Sequence, residues 1–213
     1  MDEPMSMREY HKIDSVFKRD PDNHYKTFLV GEWSRPEFGY LQDLPWVGTE
    51  KVDGTNIRLS RRDDGTVRIG GRTDNAQIPA SLLDRLDVIT ARQGWDALSG
   101  LTVFGEGYGG KIQRGGAYRP DSDFVVFDVQ VNESGVWLDR ADVVDIANKL
   151  ALQFVPIVTT GTLSGHIEAV AAGGFPSLFG DTVAEGVVVR PLVELSDRRG
   201  RRIITKVKVK DFR

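Results

Sequence analysis

From Thr55 to Ile69 the chain alternates polar and apolar side chains on either side of Asp63-Asp64-Gly65. A period of two lines one face of a strand with apolar groups, and an Asp-Gly pair turns the chain back, so this stretch reads as a β-hairpin. Further strand signals lie at Leu101 to Phe104, Asp123 to Val131, Ala184 to Arg190 and Ile203 to Val209. Helical periodicity is confined to Ser81 to Leu98, Arg140 to Leu152 and Ser164 to Ala172. Strands follow one another hairpin to hairpin, without the regular strand-helix alternation of a doubly wound sheet. The expected class is α+β with antiparallel sheets. With 213 residues, 40% hydrophobic and 28% charged, and no repeat or linker, residues 1–213 read as a single domain with a real core.

Several function classes drop out early. Without cysteine there is no disulfide, thiol nucleophile or cysteine-ligated zinc. His11, His24 and His166 stand apart, with none of the spacing of a histidine metal site. The start, Met1-Asp2-Glu3-Pro4, is acidic and lacks a signal peptide's apolar run, and no segment approaches ~18 consecutive apolar residues. A cytosolic protein is expected. The net charge of −3 argues against a non-specific polyanion binder but hides local patches, notably the basic stretch Arg198 to Arg213.

Chemistry concentrates around Lys51. It ends an apolar strand, Trp46-Val47-Gly48-Thr49-Glu50-Lys51, and is followed by Val52-Asp53-Gly54-Thr55-Asn56. Asp53-Gly54 implies a tight turn in which Gly54 takes positive φ, with Asp53 on the strand face of Lys51. A lysine amine is a nucleophile once it loses its proton, and nearby cations favour that loss. Lys206, Lys208 and Lys210 share one face of Ile203 to Val209 and its extension, opposite Val207 and Val209. They read either as an edge strand's guard against aggregation or as the wall of a phosphate pocket. Glu185 heads a valine-rich strand and needs a partner there, whether an arginine, a metal or the lysines; Gly186 beside it permits close approach of a backbone or ligand. Glu106 sits in Phe104-Gly105-Glu106-Gly107-Tyr108-Gly109-Gly110-Lys111, whose glycines read as turn punctuation; its carboxylate suits ribose hydroxyls. Phe124 and Phe127 read as core, with a base-stacking ring as the alternative. Arg72, after the hairpin, is a phosphate grip or a solvated charge. Trp95 and Trp137 read as core.

Taken in order, these residues resemble the covalent nucleotidyltransferase superfamily of polynucleotide ligases and RNA-capping enzymes. Its six motifs match at Lys51-Val52-Asp53-Gly54, Arg72, Gly105-Glu106, Phe127-Asp128, Glu185-Gly186 and Lys206-Val207-Lys208. Within the superfamily the likeness is to the type 2 RNA ligases of phages and the kinetoplastid RNA-editing ligases. Glu50-Lys51 through Asn56, Arg72-Thr73, Ile112-Gln113, Asp123 to Asp128 and the closing Phe212 carry it. Capping enzymes usually have arginine where Asn56 stands.

The resemblance implies a nucleotidyltransferase domain, similar to ATP-grasp folds, of two antiparallel sheets flanked by helices with the nucleotide between them. It implies an ATP-dependent RNA ligase. Lys51 takes AMP from ATP, passes it to a 5′-phosphate, and a 3′-hydroxyl then displaces it. Lys206 and Lys208 hold the α-phosphate and keep Lys51 deprotonated. Asp53 and Glu185 hold Mg2+ or Mn2+ through water. Glu106 binds the ribose, Phe127 stacks on adenine, and Glu50, Asn56 and Arg72 complete the nucleotide site. The partner is RNA with 5′-phosphate and 3′-hydroxyl ends, DNA or a hybrid duplex being left open, and the enzyme is expected to be a cytoplasmic monomer. A groove for it maps to Arg72, Lys111 and Arg114. A small DNA ligase and an inactive nucleic-acid-binding module are the rival readings. Two departures stand out: phage type 2 ligases continue into a C-terminal domain beyond the last lysine motif, whereas a truncated or minimal enzyme is expected here, and Asp53 stands where some have histidine.

Overall fold

The computed structural model describes residues 7–213. In chain order the strands are β1 (Asp14–Ser15), β2 (Phe17–Arg19), β3 (Phe28–Trp33), β4 (Pro45–Lys51), β5 (Thr55–Arg61) and β6 (Val67–Gly70). They continue as β7 (Leu101–Tyr108), β8 (Asp123–Val131), β9 (Gln153–Phe154), β10 (Ile157–Thr162), β11 (Gly186–Pro191) and β12 (Thr205–Lys208). The α-helices are α1 (Pro36–Tyr40), α2 (Ala80–Thr90), α3 (Arg140–Lys149) and α4 (Leu163–Ala171). The class is α+β, as the sequence implies. Two compact units form: one from the segment ending at His11 together with Asp53–Val155, the other from Lys12–Val52 with Pro156–Arg213.

In the first unit the sheet order is β6-β5-β7-β8-β9, antiparallel except for the short parallel pair β8–β9. Ile57, Leu59, Val103, Phe124, Val126 and Val129 point to one face, where they pack with Leu82, Leu86 and Ile89 of α2 and Val143 and Ile146 of α3. Each such side chain contributes about 1.5–3 kcal/mol on burial. Helix α3 starts where Asp139 Oδ1 accepts from the Asp142 N–H at 3.0 Å, a cap that fixes its first turn. Gly105 and Gly107 sit inside β7 on this core side. A Cβ on Gly105 would lie 2.4 Å from the Phe124 ring, and one on Gly107 2.3 Å from Leu82. They are packing glycines, not the turn punctuation expected; the turn belongs to Gly109 and Gly110, both at positive φ.

In the second unit the order is β1-β12-β11-β4-β10, antiparallel except for β1–β12. Trp46, Val187, Val189 and Val207 cover one face and pack with Leu163 and Val170 of α4 and Phe38 of α1. Thr162 caps α4 by accepting from the Gly165 N–H at 3.1 Å. Strands β2 and β3 pair as a separate two-stranded sheet.

Several expectations shift at their ends. The helical stretch from Ser81 is two pieces, α2 and a 3-10 turn at Trp95–Leu98. The strand expected at Ile203 to Val209 is only Thr205–Lys208, and Lys210 lies in the 3-10 turn Val209–Phe212. Nor is β12 an edge: β1 lies beside it, with Ser15 opposite Lys206. Among the described residues no helix is long and apolar enough to cross a membrane.

Candidate active site

Three adjacent strands of the second unit bring the cationic residues together. Lys51 on β4 is in register with Gly186 on β11, which is in register with Lys208 on β12. One pleat further along, Thr49, Val188 and Lys206 form the next row. Because Val187, Val189 and Val207 fill the core face, period two sends Lys51, Lys206 and Lys208 to the opposite one. Gly186 makes the approach possible: a Cβ there would lie 2.0 Å from the Val207 carbonyl oxygen and 2.8 Å from Cα of Lys208.

Glu185, just before β11, sits between the two lysines. Lys51 Nζ lies 2.5 Å from one carboxylate oxygen and Lys208 Nζ 2.5 Å from the other. Of the partners open to it from sequence, it takes the lysines. Burial alone would push the Glu185 carboxyl up; Lys51 and Lys208 outweigh burial and hold it below the usual carboxylate range. Lys206 is pushed down to about 8, first by burial, then by the neighbouring charges of Lys208 and Lys51, with Lys12 adding to them and Glu185 opposing. Glu185 thus joins Lys206 and Lys208 among the charged neighbours of Lys51.

Glu50 is also corrected. Its side chain turns to the other face of β4 and is 1% exposed. It accepts from Ser177 Oγ at 2.5 Å and from the Leu178 N–H at 2.9 Å, so the carboxylate anchors the loop after α4. Burial raises its pKa, the two hydrogen bonds opposing.

The remaining sequence-derived residues belong to the first unit. Asp53 and Gly54 form a bend leading into β5, but Gly54 does not have positive φ. Glycine is required there by proximity, since a Cβ would lie 2.2 Å from the Gly107 carbonyl oxygen. The Asp53 N–H donates to Tyr118 Oη at 3.2 Å. Asn56 and Glu106 are directly opposite on β5 and β7, on the face away from the helices. Asn56 Oδ1 is buried and has no hydrogen-bond partner among the described residues. Phe124 and Phe127 differ in burial. Phe124 is core, whereas the ladder slips beside Phe127, between Val126 and Asp128, and leaves that ring half-buried. Such bulges re-aim side chains.

Sequence reasoning missed Tyr10 and Arg58. The Tyr10 ring lies 5.0 Å from Phe127 and 5.2 Å from Phe104, and its hydroxyl donates to Asp128 Oδ2 at 2.7 Å. Trp137 belongs to the same aromatic cluster, half-buried where core was expected. Arg58, fully buried, donates to the Gly71 carbonyl at 2.6 Å, the Met7 carbonyl at 2.7 Å and Asp74 at 2.8 Å. It shapes the loop from which Arg72 projects, exposed. Only the polar position of Arg58 on an alternating strand hinted at this. Among the described residues no three acids or histidines cluster as a metal cage.

A half-buried amine beside two further lysines, with one carboxylate balancing them, is suited to oxyanion binding and to attack on phosphorus. The family model for RNA ligase matches residues 44–208, while no curated protein matches the sequence. A mutant of the Naegleria gruberi RNA ligase with ATP and Mn is similar in structure, with a TM-score of 0.69 at 19% identity over 96% of this chain and 57% of that one. The same ligase with PPi gives a TM-score of 0.64 at 20% identity, over 97% and 61%. Another mutant, with AMP and Mn, gives 0.67 at 18%, over 96% and 56%. The chain thus spans a little over half the length of these structures, and their likeness concerns the fold. With the family model matched over most of its length, the chain belongs to the RNA ligase family.

Proposed function

We propose that this chain is an ATP-dependent RNA ligase, as a catalytic domain or a minimal enzyme, acting as a cytoplasmic monomer on RNA. The observation that carries the reading is the convergence of Lys51, Glu185 and Lys208 within ion-pair distance, with Lys206 in the neighbouring row. In the first step Lys51 Nζ, having lost a proton, attacks the α-phosphorus of ATP. An N–P bond forms, the P–O bond to pyrophosphate breaks, and Lys51 carries AMP. In the second step an RNA 5′-phosphate oxygen attacks the same phosphorus, releasing Lys51 and leaving AMP on the RNA end. In the third a 3′-hydroxyl attacks the activated 5′-phosphorus and AMP departs.

Such transfers need alignment and charge neutralisation more than elaborate acid-base work. Lys206 and Lys208 neutralise the α-phosphate. Glu185 is ion-paired with Lys51, and the pair must part before the amine can attack. The nucleoside contacts are assigned to Glu106 for the ribose hydroxyls, Phe127 for the base, and Asn56 and Arg72 for the polar groups around them. The Naegleria enzyme is described with ATP and Mn. An ion of the Mg2+ or Mn2+ type keeps most of its water and can be held by carboxylates through that water. Glu185 in one unit and Asp53 in the other are each proposed as water-mediated metal-binding residues, and a bound ion would supply neutralisation of phosphate charge.

Incubation with α-labelled ATP and Mg2+ or Mn2+ is expected to label the protein, and Lys51→Ala to remove the label. An unlabelled wild-type protein under both metals would refute the reading. A panel of nicked RNA, DNA and hybrid duplexes tests the preference for RNA, and gel filtration tests the monomer.

A further inference from the structure

The chain is poor in lysine. It has nine lysines against 19 arginines, which together make its 28 basic residues. Six of the nine (Lys12, Lys18, Lys26, Lys206, Lys208 and Lys210) line one hollow of about 540 Å3 in the second unit. They come from five segments: the run into β1, strand β2, the β2–β3 connection, strand β12 and the 3-10 turn that follows it. Lys208 is paired with Glu185 at 2.5 Å, but the acids lining the hollow do not cancel the other five. Asp211 is taken by Arg19 at 2.9 Å, leaving Asp14 as the other carboxylate, and Lys18 touches Glu32 at 3.3 Å in an exposed pair of little strength. Lys12, Lys18, Lys26 and Lys210 are exposed, so their ammonium groups can meet a ligand from solvent.

We infer that this hollow is the track for the phosphate backbone of the RNA strand, leading to Lys206 and Lys208. The inference rests on the ligase reading above and adds to it the surface that holds the strand. Three features favour a strand over the triphosphate of ATP alone. The cations spread over five segments, more than one triphosphate needs once Lys206 and Lys208 have taken the α-phosphate. The hollow has the volume of a site for a whole drug-sized ligand. Lysine is a compact, mobile point charge without arginine's fixed fork, which suits phosphates met at varying angles and in any sequence. A chain that otherwise favours arginine keeps lysine here. The groove expected from sequence at Arg72, Lys111 and Arg114 belongs to the first unit and left this surface out.

The test uses the triple variant Lys18→Gln, Lys26→Gln and Lys210→Gln, leaving Lys206 and Lys208 intact. Sealing of a pre-adenylylated RNA is expected to show KM raised about tenfold or more. Anisotropy titration of a labelled 5′-phosphorylated RNA should give a log–log salt slope shallower by about two, three charges at roughly 0.7 each. Labelling by ATP should keep its rate and its KM for ATP. The matching triple change to arginine keeps the charge and should retain RNA affinity and slope, which separates charge from folding. Unchanged RNA KM and slope in the glutamine variant would overturn the inference. So would a raised KM for ATP with RNA binding intact, since the hollow would then serve the triphosphate. If the wild type never labels, the ligase reading fails, while the anisotropy comparison still reports on the hollow.

Discussion

The two units treat their polar groups in opposite ways. In the second, the reactive charges are satisfied by one another: Lys51 and Lys208 share Glu185, and Glu50 is locked onto Ser177 and Leu178. In the first, the polar face of the sheet is left partly open, with Asn56 Oδ1 buried and unmatched and Arg72 exposed. The difference follows from what each kind of group costs. A buried charge without a partner is expensive enough to force its own neutralisation, so a resting enzyme must pair its charges internally and unpair them on substrate binding. An amide oxygen is cheaper to leave unmatched and can wait for its ligand. The second unit is therefore a site under internal competition, the first a site short of a partner.

That contrast is broken most severely at Glu185. Glu185→Gln removes the counter-charge from two lysines and leaves three cations on adjacent rows. Stability is expected to fall by about 3 kcal/mol, as when one member of a buried pair is deleted, read from denaturant melts. The rate of labelling by ATP should drop about 100-fold, the scale of losing one preorganised electrostatic contact. Faster labelling instead would mean that Glu185 only holds Lys51 in reserve.

Lys206 sharpens the same point through pH. Its ammonium, pushed down to about 8, must be charged to meet phosphate, so kcat/KM for ATP should fall as pH rises through that value. Lys206→Arg cannot deprotonate in this range, and its falling limb should move to higher pH. A falling limb that stays in place would assign it to another group.

On the first unit the expected effects are milder. Asn56→Ala removes an acceptor that has no partner in the free protein. Stability should be unchanged or slightly improved, while the KM for ATP should rise about 10-fold, the worth of one hydrogen bond to a polar ligand. Equal losses of stability and ATP affinity would make Asn56 structural.

How much of this the sequence carries depends on the range of the interaction. The period of two in Thr205 to Lys208 puts Lys206 and Lys208 on one face, and the glycine after Glu185 signals close approach; both are local and legible, and β11 and β12 meet there. Gly54 is legible as a necessary glycine, but its reason is a strand brought next to it from fifty residues away, and no local rule supplies that. The same holds for Glu50, whose neighbour Lys51 suggests nucleotide chemistry while its own face of the strand turns to Ser177. Lys12 and Tyr10 lie upstream of every motif and matter only through tertiary contacts. Lys210 continues an alternating pattern yet leaves the strand, because the backbone tightens into a 3-10 turn after Lys208.

The smallest effect expected is at His166, a buried second-unit group. The ring is 1% exposed in α4, with Nε2 3.3 Å from the Trp46 carbonyl oxygen. Burial pushes its pKa down, the carbonyl contact opposing. The unfolded chain therefore binds the proton first, near pH 6.5, and the folded protein only at lower pH. Stability from this group is complete above the unfolded value and is lost as pH falls below it, at no more than about 1.4 kcal/mol per pH unit. Glu50, with its raised pKa, has the reverse sign and loses its contribution as pH rises above about 4.5. Glu185 and Asp197, both lowered, lose theirs only at more acidic pH. Between pH 7 and 5 the difference between wild type and His166→Gln isolates the imidazole. The variant should be less stable at pH 7, through lost packing, and the gap should narrow toward pH 5. A gap that stays constant over that range would show that the histidine takes up its proton as readily folded as unfolded.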